Sequence, residues 1–191
     1  ADLSNEQIKG INGTIRFSVP IKQSMVIPAS LFVIHTYNSL MIKLLAAEIV
    51  STHGLTSYRY FAQLSATLDD SNLHAVMVDE IERGRLFSHA CIDGFVEEAI
   101  FSWYADACED KKHKGPLLSA LRDVLIKLSL YRTDKLTAAR SNDVLKGFYQ
   151  NLVPDILRKS LGEFYTPDWL VEFTLDKVEP VDWLKIRALD P

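Results

Sequence analysis

Residues 28–52, PASLFVIHTYNSLMIKLLAAEIVST, are the longest apolar segment of the chain and predict one long α-helix. Pro28 fits its first turn, where the missing N–H has no intrahelical partner to lose. Apolar residues cover most of the helix circumference, which favours a central, buried position. One stripe with three flanking residues is expected to face the core: Leu31, Ile34, Met41, Leu45 and Ile49, widened by Phe32, Leu40 and Leu44. Four polar residues interrupt the segment and argue against a membrane span: His35, Asn38, Lys43 and Glu48. We expect His35 to be a hydrogen-bonded core histidine.

Shorter helices are predicted on the C-terminal side of this segment, over residues 56–68, 70–81, 99–110 and 117–131. Asp70-Ser71-Asn72 offers helix caps, and Gly84 is suited to closing the helix that follows them. The last of the four helices has the clearest spacing, with leucines at 118, 121, 125 and 128. Residues 111–116, KKHKGP, are interpreted as a polar connection because Gly115 and Pro116 interrupt helices. Together these segments predict a mainly α fold with a multi-helix N-terminal domain over residues 1–140.

Composition supports this class. The 191 residues contain only 8 glycines and 7 prolines, so collagen-like, linker-like and turn-dense all-β classes are disfavoured, and the hydrophobic share of 48% is close to that of globular proteins. The first ten residues have neither a basic start nor an apolar core, so no signal peptide is expected and a cytoplasmic location is favoured. Two cysteines cannot form a disulfide scaffold. Their spacing from His89 and His113 is not a standard zinc pattern, so Cys91 and Cys108 are expected to be unlinked thiols and no metal site is predicted.

Charge is unevenly distributed along the chain. The net charge is −4, yet residues 111–146 contain nine basic and three acidic side chains. The nine are Lys111, Lys112, Lys114, Arg122, Lys127, Arg132, Lys135, Arg140 and Lys146. Such an excess can bind nucleic-acid phosphates, because displaced counterions favour association. Lys111, Lys112 and Lys114 are the candidate DNA-binding residues, and a solvated helix face is the alternative interpretation.

The last fifty residues have a more specific pattern. Amphipathic helices are predicted over 142–153 and 155–161, and Gly162 suits the end of the second. Residues 161–167, LGEFYTP, then lead into a third helix over 168–178, for which Thr166 is the expected N-cap and Pro167 the first helical residue. Residues 184–189 are predicted to be a short buried strand, followed by Asp190-Pro191.

This pattern resembles that of the adenine-N6 DNA methyltransferases, in particular the modification subunits of type I restriction systems and the fused restriction–methylation enzymes. The matching element is Gly-Glu-Phe-Tyr-Thr-Pro at 162–167, followed by a strand that ends in Asp-Pro. The resemblance implies that residues 141–191 begin a Rossmann-like, S-adenosylmethionine-dependent methyltransferase domain. It places Phe164, Tyr165, Thr166 and Pro167 beside the methionine end of the cofactor, and Asp190 near its amino group or under the glycine-rich turn.

The chain also departs from that family. No glycine-rich turn follows Pro191, and the Asn/Asp-Pro-Pro-Tyr/Phe motif that holds the flipped adenine is absent. We therefore expect the chain to be the N-terminal piece of a longer restriction-modification or phage-defence protein, truncated within the methyltransferase domain and inactive by itself. Double-stranded DNA is the expected partner, with a specificity or restriction subunit as a further candidate. The alternative is a non-enzymatic helical protein- or DNA-interaction module in which Thr166-Pro167 only starts a helix.

Overall fold

The computed structural model describes residues 4–6, 9, 27–96, 101–135 and 166–177. Its α-helices are α1 (Ile27–Thr52), α2 (Phe61–Ala66), α3 (Asp70–Val76), α4 (Arg85–His89), α5 (Trp103–Ala107), α6 (Lys111–Ser129) and α7 (Asp168–Asp176). A π-helix (Met77–Glu82) continues α3, and a 3₁₀ turn (Thr133–Lys135) follows α6. These residues are mainly helical and include no strand, which confirms the mainly α class. The predicted strand at 184–189, the helices at 142–161 and the boundary at residue 140 lie outside the described residues.

The core forms where α1 and α6 meet the short helices between them. The leucine stripe predicted for α6 is confirmed, since Leu118, Leu121, Leu125 and Leu128 are all buried. Its buried neighbours include Phe61 and Ala62 of α2, Leu73 of α3, Met77 and Ile81 of the π-helix, and Leu86 and Phe87 of α4. A regular i, i+3, i+4 stripe of large apolar side chains therefore placed α6 correctly.

The buried face of α1 agrees only in part with the predicted one. Ile34, Leu40 and Leu44 are buried as expected. Met41, Leu45 and Ile49 of the expected stripe are only half-buried, and Ala47 is buried instead. The same inward face holds polar side chains that are almost completely enclosed: Thr36, Lys43, Glu48 and Ser51. Because α1 is apolar on most sides, hydrophobicity did not select its orientation. The face whose polar groups find partners in the core turned inward, since an unpaired buried charge is costly.

His35 also differs from its prediction. It is half-buried rather than enclosed, and its ring lies parallel to that of Phe101, with centroids 6.2 Å apart and 25° between the planes. Near it, the Trp103 indole N–H donates to the Thr36 hydroxyl at 2.8 Å. This end of α1 therefore packs against the aromatic residues before and within α5.

The interpretation of residues 111–116 as a connection is wrong, because α6 begins at Lys111 and includes Gly115 and Pro116. Asp110 is the N-cap, and its carboxylate accepts the backbone N–H of Lys112 at 2.9 Å. Pro116 removes one intrahelical hydrogen bond, to the carbonyl of Lys112, but both residues are exposed, where water can replace the lost donor. The cap and the buried leucines that follow outweigh the two helix-breaking residues.

The helix after α2 begins at Asp70 as predicted, but its N-cap lies one residue before the expected triplet and a π-helix continues it. Asp69, rather than the following triplet, caps α3 by accepting the backbone N–H groups of Ser71 and Asn72 at 3.0 Å each. The predicted end at Gly84 is confirmed by its left-handed backbone, φ +70°. The π-helix places Glu80 and Glu82 inside the fold, and π-turns of this kind are frequent at functional sites.

One helix in the described part of the chain, Phe32–Thr52, is long and apolar enough to cross a membrane by length and composition. Leu40, Leu44, Ala47 and Val50 of this helix are buried against other helices of the protein. Its apolar side chains therefore build the core of the bundle.

Candidate nucleic-acid interface

The predicted DNA-binding lysines form the first turn of α6. Lys111 and Lys112 are exposed, Lys114 is half-buried, and this turn contains no acidic residue. A helix N-terminus already carries partial positive charge and free N–H groups, so cationic side chains here oppose the helix dipole and lower helix stability. The lysine charges can attract an anion at this end of the helix, although the backbone N–H groups of Lys112, His113 and Lys114 already donate to Asp110.

Two acidic residues, Glu109 and Asp110, precede this turn, and the second of them caps it. Its carboxylate accepts the Lys112 N–H and lies 3.0 Å from Nδ1 of His113. The Lys112 amide and then His113 lower the pKa of Asp110, so it remains charged at neutral pH. Three lysines against the carboxylates of Glu109 and Asp110 leave a small net positive charge at this end of α6.

The rest of the basic stretch is divided by the structure into structural and exposed residues. Arg122 donates to the carbonyls of Ala66 and Leu68 at 3.0 and 2.7 Å, and to the carboxylate of Asp70 at 2.7 Å. It closes the end of α2 and is not free to bind phosphate. Lys127 and Lys135 are exposed near the other end of α6, while Arg140 and Lys146 lie outside the described residues. The charge excess in the sequence therefore overstated the basic surface.

Only part of the predicted cofactor corner is described. Thr166 and Pro167 are exposed, and α7 begins after them. The N-cap is Pro167 rather than Thr166, because Pro167 is extended (φ −61°, ψ 143°) and its carbonyl accepts the N–H groups of Leu170 and Val171. Within the described residues no side chain caps α7, and the start of an uncapped helix has amides that can bind an anion. Phe164, Tyr165 and Asp190 lie outside the described residues.

A buried polar network was missed by sequence reasoning. Lys43 Nζ lies 2.6 Å from Oε2 of Glu82, and the Tyr104 hydroxyl donates to the other oxygen at 2.5 Å. Burial, and then the Glu82 carboxylate, raise the pKa of Tyr104, so the phenol stays protonated as a donor. The available signal in the sequence was Lys43, a charged residue inside an apolar helix. Its partner Glu82 is 39 residues away in sequence, so the pair itself could not be predicted.

Glu82 also lines a cleft of about 330 Å³ between the π-helix and α5, with Asp79, Arg83, Asp106 and Glu109 among its walls. Both Glu82 oxygens are already engaged, and Asp79 is paired with Arg83 at 2.7 Å. Within the described part of the chain, no group of three or more His, Cys, Asp or Glu side chains is placed to hold a metal ion. The network therefore ties α1, the π-helix and α5 together.

A second cleft, of about 220 Å³, lies between the C-terminal ends of α1 and α6 and the start of α2. We call it the tyrosine cleft, and its lining includes Glu48, Thr52, Tyr60, Tyr131, Arg132 and Thr133. Glu48 and Thr133 are buried at its base, whereas Tyr60, Tyr131 and Arg132 are exposed at its rim. Neither tyrosine has a signal in the local sequence, because their proximity depends on how α2 packs against α6.

No protein-family model, no curated protein and no solved structure matches this chain. The resemblance to adenine-N6 DNA methyltransferases therefore rests on residues 141–191 alone and stays a prediction.

Proposed function

We propose that this chain is the N-terminal region of an adenine-N6 DNA methyltransferase of a restriction-modification or phage-defence system. In this proposal the helical domain holds duplex DNA through the first turn of α6, in the cytoplasm. The parent protein transfers a methyl group from S-adenosylmethionine to adenine in DNA. The present chain lacks the catalytic motif and does not perform the transfer.

The lysine turn is the observation that carries the DNA-binding part. Lys111, Lys112 and Lys114 are placed where they lower the stability of α6, since cations at a helix N-terminus oppose its dipole. Local features that lower stability are most often found at functional sites. Phosphate groups offset this repulsion, which supports DNA binding over the alternative of a solvated helix face.

A salt titration of binding tests this part directly. The intact chain is titrated against a fluorescent DNA duplex at several salt concentrations, and the logarithm of the association constant is plotted against that of salt. Changing Lys111, Lys112 and Lys114 to alanine removes up to three phosphate contacts, so the slope becomes shallower by about 2.7, at roughly 0.9 per contact. The substitutions also remove charges that oppose the dipole, so weaker binding cannot be explained by loss of α6.

Arg83→Ala is the matched control, because Arg83 is exposed, carries one positive charge and is paired with Asp79 on the π-helix side. Its slope is expected to equal that of the unmodified chain. An unchanged slope in the triple lysine variant, or absence of duplex binding by the unmodified chain, overturns the DNA-binding role.

The cofactor-binding part is supported by the motif at 162–167 and by the uncapped start of α7. A helix N-terminus suits the α-carboxylate of the methionine portion of S-adenosylmethionine. Reading the gene beyond the codon for Pro191 is the simplest test. A glycine-rich turn and a later Asn-Pro-Pro-Tyr motif would support the proposal, whereas a stop codon would overturn it.

A helical protein-interaction module is the second candidate. It is favoured by the exposed aromatic surface at the start of α1 and at α5, where Phe32, Tyr37 and Trp103 are each about 40% exposed. Phe32 contacts Phe101 and Trp103, with ring centroids 5.6 and 6.2 Å apart. Exposed apolar clusters of this kind mark interaction surfaces. The duplex titration separates the two candidates, because this module requires no salt-dependent DNA binding.

A further inference from the structure

The rim of the tyrosine cleft carries two exposed aromatic rings. Tyr131 is 72% exposed and Tyr60 is 44% exposed, although an apolar aromatic ring gains no stability from contact with water. Single exposed apolar residues are ordinary on protein surfaces. Two tyrosines that line one small cleft instead offer two π-faces to a flat ligand, since aromatic rings attract other rings by stacking.

Two guanidinium groups lie at or near this rim, since Arg132 lines the cleft and Arg59 contacts the ring of Tyr60. The Arg59 guanidinium carbon lies 5.8 Å from the centroid of the Tyr60 ring. Arg132 is held by Asp134, with Nη2–Oδ2 and Nε–Oδ1 distances of 2.9 and 3.3 Å. The Asp134 carboxylate, and to a smaller extent Tyr60, raise the pKa of Arg132, so it stays charged. A guanidinium has five N–H donors, and Asp134 uses two, so donors remain for an anionic group of a ligand.

Polar side chains form the base of the cleft. Glu48 Oε2 accepts the buried N–H of Ala62 at 2.7 Å, which fixes the carboxylate. The hydroxyl groups of Thr52 and Thr133 lie 3.3 Å apart beside it. A carboxylate can accept about four hydrogen bonds and a hydroxyl can donate or accept, so the base offers both kinds of partner to a ligand edge.

The size of the cleft narrows the ligand class. Its volume of about 220 Å³ is below the range of roughly 300–1,000 Å³ that is usual for sites of drug-sized ligands. One planar ring system fits this space, and a longer unit does not. Flat faces above, hydrogen-bonding groups below and the Arg132 guanidinium at the rim, beside its partner Asp134, together match a heterocyclic base that carries a phosphate.

We infer that the tyrosine cleft binds one unpaired nucleobase, stacked on Tyr60 or Tyr131, with the phosphate of the same nucleotide at Arg59 and Arg132. The base belongs either to a strand of DNA or to a free nucleotide, which share this chemistry. The inference deepens the proposed DNA contact and rests on it for the strand as the source of the base. It adds a site at the end of α6 opposite the lysine turn, about 28 Å away along the 19-residue helix.

Binding of a fluorescent single-stranded oligonucleotide to the intact chain, followed by polarisation, is the test. At least one of the variants Tyr131→Ala and Tyr60→Ala is expected to weaken binding about 5- to 150-fold, the range for loss of one stacked base. Tyr131→Phe keeps the ring and is expected to bind within about twofold of the unmodified chain. Leu130→Ala is the matched control, because Leu130 is 77% exposed beside Tyr131 and does not line the cleft.

Competition by deoxyadenosine monophosphate separates the two sources. Displacement of the strand at concentrations comparable to those of the oligonucleotide supports the inference with a free nucleotide as the ligand. Strand binding that the mononucleotide does not displace supports it with a base in DNA as the ligand. The inference is overturned by absence of both kinds of binding, or by an affinity in both tyrosine-to-alanine variants that equals that of the unmodified chain. A loss of affinity in Leu130→Ala as large as in the tyrosine variants also overturns it.

The failure of this inference is distinguishable from failure of the proposed function. If duplex binding depends on the α6 lysines while single-strand binding is the same without either tyrosine, only the inference on the tyrosine cleft fails. Loss of duplex binding with retained, tyrosine-dependent mononucleotide binding removes the DNA role and leaves the cleft. Circular dichroism of each variant verifies that its helix content is unchanged.

Discussion

Replacing Lys43 with methionine will destabilise the fold strongly. The substitution keeps a long flexible side chain but removes the ammonium that lies 2.6 Å from Glu82, inside a pair whose side chains are only 10% and 6% exposed. The Glu82 carboxylate is then left buried with the Tyr104 hydroxyl as its one remaining partner in the network. Breaking a buried ion pair by removing one member costs about 3–5 kcal/mol.

That loss is large compared with the total stability of a domain, which is about 5–15 kcal/mol. At about 2–4 °C per kcal/mol for a chain of this length, the midpoint of thermal unfolding should fall by about 6–20 °C. Urea unfolding, followed by far-ultraviolet circular dichroism and tryptophan fluorescence, measures the free energy of unfolding. An unchanged dependence on urea would verify that Lys43→Met alters stability and not the extent of unfolding.

Two further variants make the argument refutable. Lys43→Met combined with Glu82→Leu removes both charges, so it should cost much less than the sum of the two single changes, because apolar replacements of buried pairs are often neutral. Arg83→Met removes a cation whose side chain is 74% exposed, and it should cost no more than about 1 kcal/mol. A loss in Lys43→Met no larger than that of Arg83→Met, or a double variant as unstable as the summed singles, would refute the reasoning.

Two other predictions concern Glu48 and Arg122. Burial raises the pKa of Glu48, while the N–H groups of Ala62 and Phe61 lower it, with burial the larger effect. The folded state therefore holds this proton more tightly, and its contribution to stability is lost as the pH rises from about 4.5 through the raised value. In a series of urea titrations, Glu48→Gln should remove this part of the pH dependence of stability. Glu48→Ala also leaves the Ala62 N–H without an acceptor, at a cost of about 1–3 kcal/mol. Identical pH profiles of stability for Glu48→Gln and the unmodified chain would contradict this prediction. Arg122→Ala should lower the free energy of unfolding by about 1–3 kcal/mol, because the Ala66 and Leu68 carbonyls lose their donor. It should not change the salt slope of duplex binding. A change in that slope near 0.9 would instead show that Arg122 binds a phosphate.

The candidate interface shows how far a charge count can be taken. Lys111, Lys112 and Lys114 were identified from local composition, and the structure keeps them at one helix end. Arg122 was counted with them, yet it donates a hydrogen bond to the carbonyl of Ala66, 56 residues earlier in the chain. The count contains no information on partners that are distant in sequence, so it could not separate the two roles. For the same reason the tyrosine cleft had no local signal, since Tyr60 and Tyr131 are far apart in the chain.

The mainly helical class, the buried leucine stripe of α6 and the end at Gly84 were determined by the sequence, because side-chain spacing and backbone conformation act between near neighbours. The start of α6 and the inward face of α1 were decided only in the folded molecule. Residues 111–116 contain helix breakers that a cap and a buried stripe overcome, and α1 is apolar on most of its circumference. The orientation of α1 was set by Lys43, which pairs with Glu82, and by Glu48, which accepts the Ala62 amide. Burying these two polar side chains without their partners would cost more free energy than another orientation of the helix could gain.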